Sequence, residues 1–136
     1  MSTHTSPLPN LPRFSLPKFP DIPVPPAANT PFVGSVAYSA TVTPDCDSFD
    51  IVNVGTLTGN VALATPTGTP NDGQTLIIRF KQDATGGRTY STSAGYQFGA
   101  TYALLSWTTT ANAVCEVEFR YNAATAKWMH TGFANF

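Results

Sequence analysis

Nine of the twelve prolines in this 136-residue chain fall within its first 31 residues. Proline fixes φ and lacks a backbone N–H, so a segment this dense in it is barred from helix interiors and from central sheet ladders. The same segment is nevertheless loaded with apolar side chains: Leu8, Leu11, Phe14, Leu16, Phe19, Ile22 and Val24 stand between its prolines. Their spacing is regular. Leu8, Leu11 and Phe14 recur at every third position, and Leu16, Phe19 and Ile22 do so again after a one-step change of phase. Pro17, Pro20, Pro23 and Pro26 keep the same interval. Three residues per turn is the period of polyproline II, which gives the segment one apolar stripe and one proline stripe. At about 3.1 Å per residue it reaches on the order of 90 Å. Apolar side chains without a ladder or helix to carry them need another surface to cover them. Residues 1–31 are therefore expected to be an extended anchoring arm that binds another protein, rather than a disordered linker.

From Phe32 onward the chain reads as β. Thr, Val, Gly and aromatic residues dominate, and no long segment shows a 3.6-residue apolar period. Expected strands are Ser35–Thr43, Ser48–Val54, Asn60–Ala64, Gln74–Gln82, Arg88–Thr92, Leu104–Trp107, Ala113–Tyr121 and Lys127–Gly132. Turn residues separate them, among them Thr43-Pro44-Asp45, Asn71-Asp72-Gly73 and Thr85-Gly86-Gly87. Two strands alternate cleanly. Leu76, Ile78 and Phe80 share one face of theirs; Cys115, Val117, Phe119 and Tyr121 share one face of the other, opposite Glu116, Glu118 and Arg120. Short strands with frequent turns predict an all-β domain over 32–136: an antiparallel β-sandwich or jelly-roll-like barrel. No internal repeat is evident.

Charged residues make up only 11 % of the chain, with seven Lys and Arg against eight Asp and Glu. That balance leaves no electrostatic footprint for nucleic acid. No run of about 18 apolar residues predicts a membrane span, and the first residues lack the basic start and apolar stretch of a secretory signal. Cys46 and Cys115 are read as free thiols, Cys115 as a small core residue; a disulfide between them requires a fold that brings their Cα atoms within about 7 Å.

Catalytic constellations are absent from the pattern. The two histidines, His4 and His130, and the two cysteines have no metal-ligand spacing. Asp45, Asp47 and Asp50 lie in one turn but lack the glycine and terminal glutamate of a calcium loop, and read as a solvated acidic turn. Glu116 and Glu118 stand about 7 Å apart on one strand face. With Arg120 beside them they read as a charge row facing solvent or a neighbouring subunit, rather than a glycosidase pair. Tyr90, Tyr96, Phe98, Tyr102 and Trp107 fall in a Gly/Thr/Ser-rich stretch, where they can stack on sugar rings, fill a core, or line a threefold interface. No enzyme activity, cofactor or metal is expected.

Several strings taken together carry a resemblance: Leu57-Thr58-Gly59-Asn60-Val61, Asp72-Gly73-Gln74-Thr75-Leu76, Arg79-Phe80-Lys81-Gln82-Asp83-Ala84-Thr85-Gly86-Gly87-Arg88-Thr89, Thr109-Thr110-Ala111-Asn112-Ala113-Val114 and Lys127-Trp128. Over roughly residues 55–133 the chain resembles a β module of tailed-bacteriophage virion proteins. The resemblance implies a structural, non-enzymatic virion protein, often a homotrimer, assembled in the host cytoplasm. Such modules occur in tail-fibre and minor-tail proteins and in short head-associated ones. Ile77, Arg79, Lys81 and Arg88 are the expected subunit interface, since charges at strand ends can pair across a hairpin or a subunit boundary. A short chain with an anchoring arm points first to a capsid decoration, or cement, protein that binds the major capsid protein or another virion protein. The alternative is a tail or head fibre, or minor tail protein, with a receptor-facing β domain. Host glycan is a partner only in that second reading.

Overall fold

The computed structural model describes residues 30–99 and 107–136. The chain divides into two units, Met1–Thr30 and Pro31–Phe136. The arm residues from Leu8 to Val24, Tyr102 and most of the expected Leu104–Trp107 strand lie outside the described residues.

Nine strands and no helix make up the described part: β1 (Val33–Val36), β2 (Thr41–Val42), β3 (Ile51–Val54), β4 (Val61–Leu63), β5 (Thr75–Lys81), β6 (Tyr90–Thr92), β7 (Tyr96–Gln97), β8 (Val114–Asn122) and β9 (Lys127–Asn135). They form a six-stranded sheet in the order β1-β3-β5-β8-β9-β7 and a three-stranded sheet in the order β2-β4-β6. The all-β expectation stands. The pairing, however, is mixed rather than wholly antiparallel. Only β5–β8 and β8–β9 are antiparallel; β1–β3, β3–β5, β2–β4, β4–β6 and β7–β9 are parallel.

The reason lies in the path of the chain. From β1 to β7 successive strands alternate between the two sheets. Parallel neighbours need a crossover, usually a helix. For β1–β3, β2–β4, β3–β5 and β4–β6 the crossover is a strand of the opposite sheet, so the first half of the domain winds as stacked coils. Two isolated parallel bridges, Asp45 with Thr67 and Leu57 with Gln82, tie the coils together at their corners. The same path corrects the single strand expected over Ser35–Thr43. The chain leaves one sheet after Val36 and enters the other at Thr41, so that segment is two strands in two layers.

The core lies between the sheets. Val42, Val61 and Leu63 of the small sheet share one buried cluster with Val52, Ile78, Phe80, Val117, Phe119 and Trp128 of the large one. The expected alternation holds: Leu76, Ile78 and Phe80 are buried on β5, and Cys115, Val117 and Phe119 on β8. Both cysteines are free and buried. Burial pushes the Cys115 thiol up to about 11, which keeps it protonated and unreactive at neutral pH.

Gly73, Gly86 and Gly87 adopt positive φ, as their turns require. Gly86 is the most constrained. Its φ is +71°, and a Cβ there would sit 2.5 Å from the Thr109 carbonyl oxygen and 2.8 Å from the Ala111 nitrogen. Both obstacles are backbone, so neither can rotate away. Gly86→Ala is expected to cost about 1–3 kcal/mol from backbone strain alone, with the clash adding to it. Gly87→Ala, with open space around its Cβ, should cost only the φ penalty. Urea denaturation of the two variants checks the difference.

Candidate functional site

The loop that joins β5 to β6 is densely hydrogen-bonded. Asp83 organises it. One carboxylate oxygen accepts the backbone N–H of Thr85 at 3.0 Å and of Gly86 at 2.8 Å. The other accepts the Arg88 guanidinium at 2.7 Å. The hydrogen bond from Arg88 is the main reason the Asp83 carboxyl sits below the usual carboxylate range. Beneath the loop, Gln82 is 2 % exposed. Its amide donates to the carbonyls of Arg88 (2.9 Å) and Thr108 (3.1 Å) and accepts the Arg88 N–H (3.0 Å). The Trp107 indole donates to the same Arg88 carbonyl at 2.6 Å. This loop is a structural clamp: its charges are spent on one another.

The four residues expected at a subunit interface separate into two places. Ile77, Arg79 and Lys81 lie on the outer face of the six-stranded sheet, alternating with the buried Leu76, Ile78 and Phe80. Arg88 lies in the clamp, paired with Asp83. Arg79 is paired too. Register places it directly opposite Glu116, and its Nε lies 2.7 Å from a Glu116 oxygen. This exposed pair contributes little stability, roughly 0–1 kcal/mol, but it cancels two charges on that face. Beside it, Glu118 accepts the Thr131 hydroxyl at 2.9 Å. Glu116 and Glu118 are thus a paired acid and a hydroxyl-bonded one on an open sheet face.

The other candidates resolve in the same way. Asp45 accepts the Ser48 hydroxyl and the Asp47 N–H, Asp47 accepts the Thr69 N–H, and Asp50 accepts the Phe32 N–H. These carboxylates hold turns. Among the described residues no cluster of three or more His, Cys, Asp or Glu side chains is arranged to hold a metal ion. His130 lies against Phe98 and Phe119, with ring centroids at 5.0 and 5.8 Å. Burial lowers its pKa, so the ring is neutral at physiological pH.

Of the five aromatic residues that left three readings open in the sequence, the four described ones pack on or in the core. Tyr96 is buried, its hydroxyl donating to the Ala64 carbonyl at 2.9 Å. Trp107 and Tyr90 pack on Phe80, and Phe98 on Phe119. Tyr96 is the buried member of the four; Tyr90, Phe98 and Trp107 are half-buried against the core, and Tyr90 also lines a surface groove. Exposed apolar side chains lie elsewhere, at Phe32, Val33, Met129, Phe133 and Phe136. Sequence reasoning missed these. Only the local periodicity of the last strand hinted at them, and a bulge at Glu118/Phe119 breaks that periodicity.

Shallow grooves mark the described surface, among them one of about 190 Å³ at His130, Thr131, Gly132 and Phe133 and two larger ones. One, about 250 Å³, runs along Asn60, Ala62, Thr89 and Ser91. The other, about 300 Å³, lies among Asp72, Arg120, Asn122, Met129 and Thr131.

An all-β domain whose carboxylates hold turns and whose aromatics pack on its core has the build of a structural module, and the family match agrees. Residues 36–123 match the family described as "Putative phage tail fibre C-terminal domain", and the chain belongs to this family. It is a bacteriophage virion structural protein, as the resemblance over 55–133 implied. No curated protein and no solved structure matches it.

Proposed function

We propose that the chain is a tail-fibre component whose β domain stands outward from the virion while residues 1–31 anchor it to another virion protein. The observation that carries this reading is the family match across 36–123, which covers β2 through β8 whole. Nothing comparable favours the head surface, so the cement reading gives way to the fibre. The role is mechanical and non-catalytic. Stacked parallel coils closed by an antiparallel β5-β8-β9 layer present a broad, weakly charged surface on a rigid core.

Immunogold labelling of intact virions tests the location. Label confined to the tail supports the proposal; label spread over the head would restore the cement reading. Deleting residues 1–31 from the phage-encoded chain should abolish incorporation into virions while the β domain remains folded by circular dichroism. Unchanged incorporation would refute the anchoring role.

A further inference from the structure

The stack of coils has one covered end and one open end. Its coils follow in the order β1 with β2, β3 with β4, and β5 with β6. At the far end β5 is covered by β8. At the near end, among the described residues, β1 pairs with β3 alone and β2 with β4 alone. Hydrogen-bond direction shows which main-chain groups are left over. The Phe32 carbonyl accepts the Ile51 N–H at 3.1 Å, and the Val36 carbonyl accepts the Gly55 N–H at 2.8 Å. Main-chain groups alternate in direction along a strand, so the N–H and C=O of Val33 and Ser35 point away from β3. On β2 the Ala40 and Val42 carbonyls accept from Ala62 and Ala64, so the groups of Thr41 point away from β4.

This edge lacks the usual protection. Proteins blunt exposed edges with charges, prolines or bulges. Residues 33–43 hold no charged side chain and no proline, and the β1–β3 register runs without a shift. Phe32 is 73 % exposed and Val33 54 %. Val33 also begins an apolar row, since register aligns it with Ile51 of β3 and Ile77 of β5. A strand laid beside β1 would bond to Val33 and Ser35 and continue that row with an apolar side chain of its own. The proline-rich stretch of this chain is ill-suited to be that strand. Across residues 7–26 the prolines stand at most five residues apart, and each lacks the N–H that a ladder uses.

We propose that the virion protein held by the arm donates an extended strand to the free edge of β1, its main chain bonding to Val33 and Ser35 and an apolar side chain lying beside Val33. This is recognition by strand addition: main-chain bonds supply affinity, and the side chain beside Val33 supplies selectivity. Only Pro31 and Phe32 separate residue 30 from β1. A partner gripped by the arm is therefore tethered to this edge, which raises its effective concentration there. The inference rests on the proposed anchoring role of residues 1–31. It adds the form of the partner, a proline-free extended segment, and a second point of attachment.

Hydrogen–deuterium exchange of the full chain, free and in purified virions, is the first test. The Val33 and Ser35 amides should exchange as an open edge does in the free chain, and about tenfold or more slowly in virions. Ser35→Pro, encoded in the phage, is the second. It removes an outward N–H without touching the ladder to β3, as proline on an edge strand can. The purified variant should keep the wild-type circular dichroism, while its incorporation into virions, read by quantitative immunoblot, falls about tenfold. Ser35→Ala should incorporate like wild type. Equal exchange in virions and in the free chain would overturn the proposal, and so would a folded Ser35→Pro variant incorporated at the wild-type level. Protection already present in the free chain would overturn it too: growth with concentration would make the occupant a second copy, and loss on deleting residues 1–31 would make it the arm. Unchanged incorporation after that deletion sinks the anchoring reading; normal incorporation of Ser35→Pro, with the deletion abolishing it, sinks strand addition alone.

Discussion

Phe80→Ala is expected to lower the stability of the β domain by about 3–5 kcal/mol, the usual range for deleting a buried phenylalanine. Phe80 is 1 % exposed and lies near the C-terminal end of β5. Its ring is 4.6 Å from that of Trp107 and 5.9 Å from that of Tyr90, centroid to centroid. Those two rings lie 4.4 Å from each other, so the three form one aromatic cluster. Removing the Phe80 ring loses transfer energy, leaves a cavity, and takes a packing partner from both other rings. Domains of this size have only about 5–15 kcal/mol of stability, so the loss is a large share. Guanidinium denaturation should show a lower midpoint at unchanged slope. Tyr90 provides a second readout. Burial pushes its phenol up to about 12, and opening the cluster should return its ionisation toward 10, visible in an ultraviolet pH titration. A stability loss below about 1 kcal/mol would show that this cluster does not hold the two sheets together.

Gln82→Leu is expected to cost nearly as much, for the opposite reason. Leucine is close in size and more apolar, yet the site is polar. The substitution strands the Arg88 N–H and the Thr108 carbonyl, both of which Gln82 satisfies. The Arg88 carbonyl keeps its bond from Trp107. Two partly buried groups left unsatisfied cost up to roughly 1–3 kcal/mol each. The effect should also be local: the Asp83–Arg88 loop loses its floor, and amide exchange there should accelerate more than in β8. Gln97→Leu, at an exposed position on β7, should stay within about 0.5 kcal/mol. Equal effects at the two glutamines would show that burial of Gln82 does not matter.

Much of the domain was legible residue by residue. β5 and β8 declared their buried faces because one side of each packs on the core and the other does not, and a period of two follows from that alone. The turn at Asp72-Gly73 and the pair Gly86-Gly87 were legible because glycine pays least for positive φ. The clamp was half legible. Asp83 and Arg88 are close in sequence, but nothing local marks Gln82, a polar residue at the end of an alternating strand, as the buried floor beneath them.

The parallel pairing was not legible at all. A strand with one buried face shows the same alternation whether its neighbour runs with it or against it. The coils also differ in length: register steps from Val33 to Ile51 and then from Ile51 to Ile77. Unequal steps erase the fixed period by which stacked coils are recognised. The destination of the aromatics was hidden for a related reason. Tyr90, Tyr96, Phe98 and Trp107 sit outside long strands, where no alternation says which way a side chain points.

The sequence by itself therefore settled the character of this protein: a proline-rich segment barred from regular ladders, a β domain without helices, buried alternating faces, and the phage-virion strings that the family match bears out. Those properties follow from covalent geometry and from burial patterns carried within a few residues. Tertiary structure alone decided which strands run parallel, that Arg88 leaves the sheet face while Arg79 stays, and that Glu118 and Arg120 share an outer face with Met129 and Gly132. Each of these depends on pairing between residues distant in the chain. Hydrogen bonds and ion pairs form across space, and local sequence carries no record of the partner.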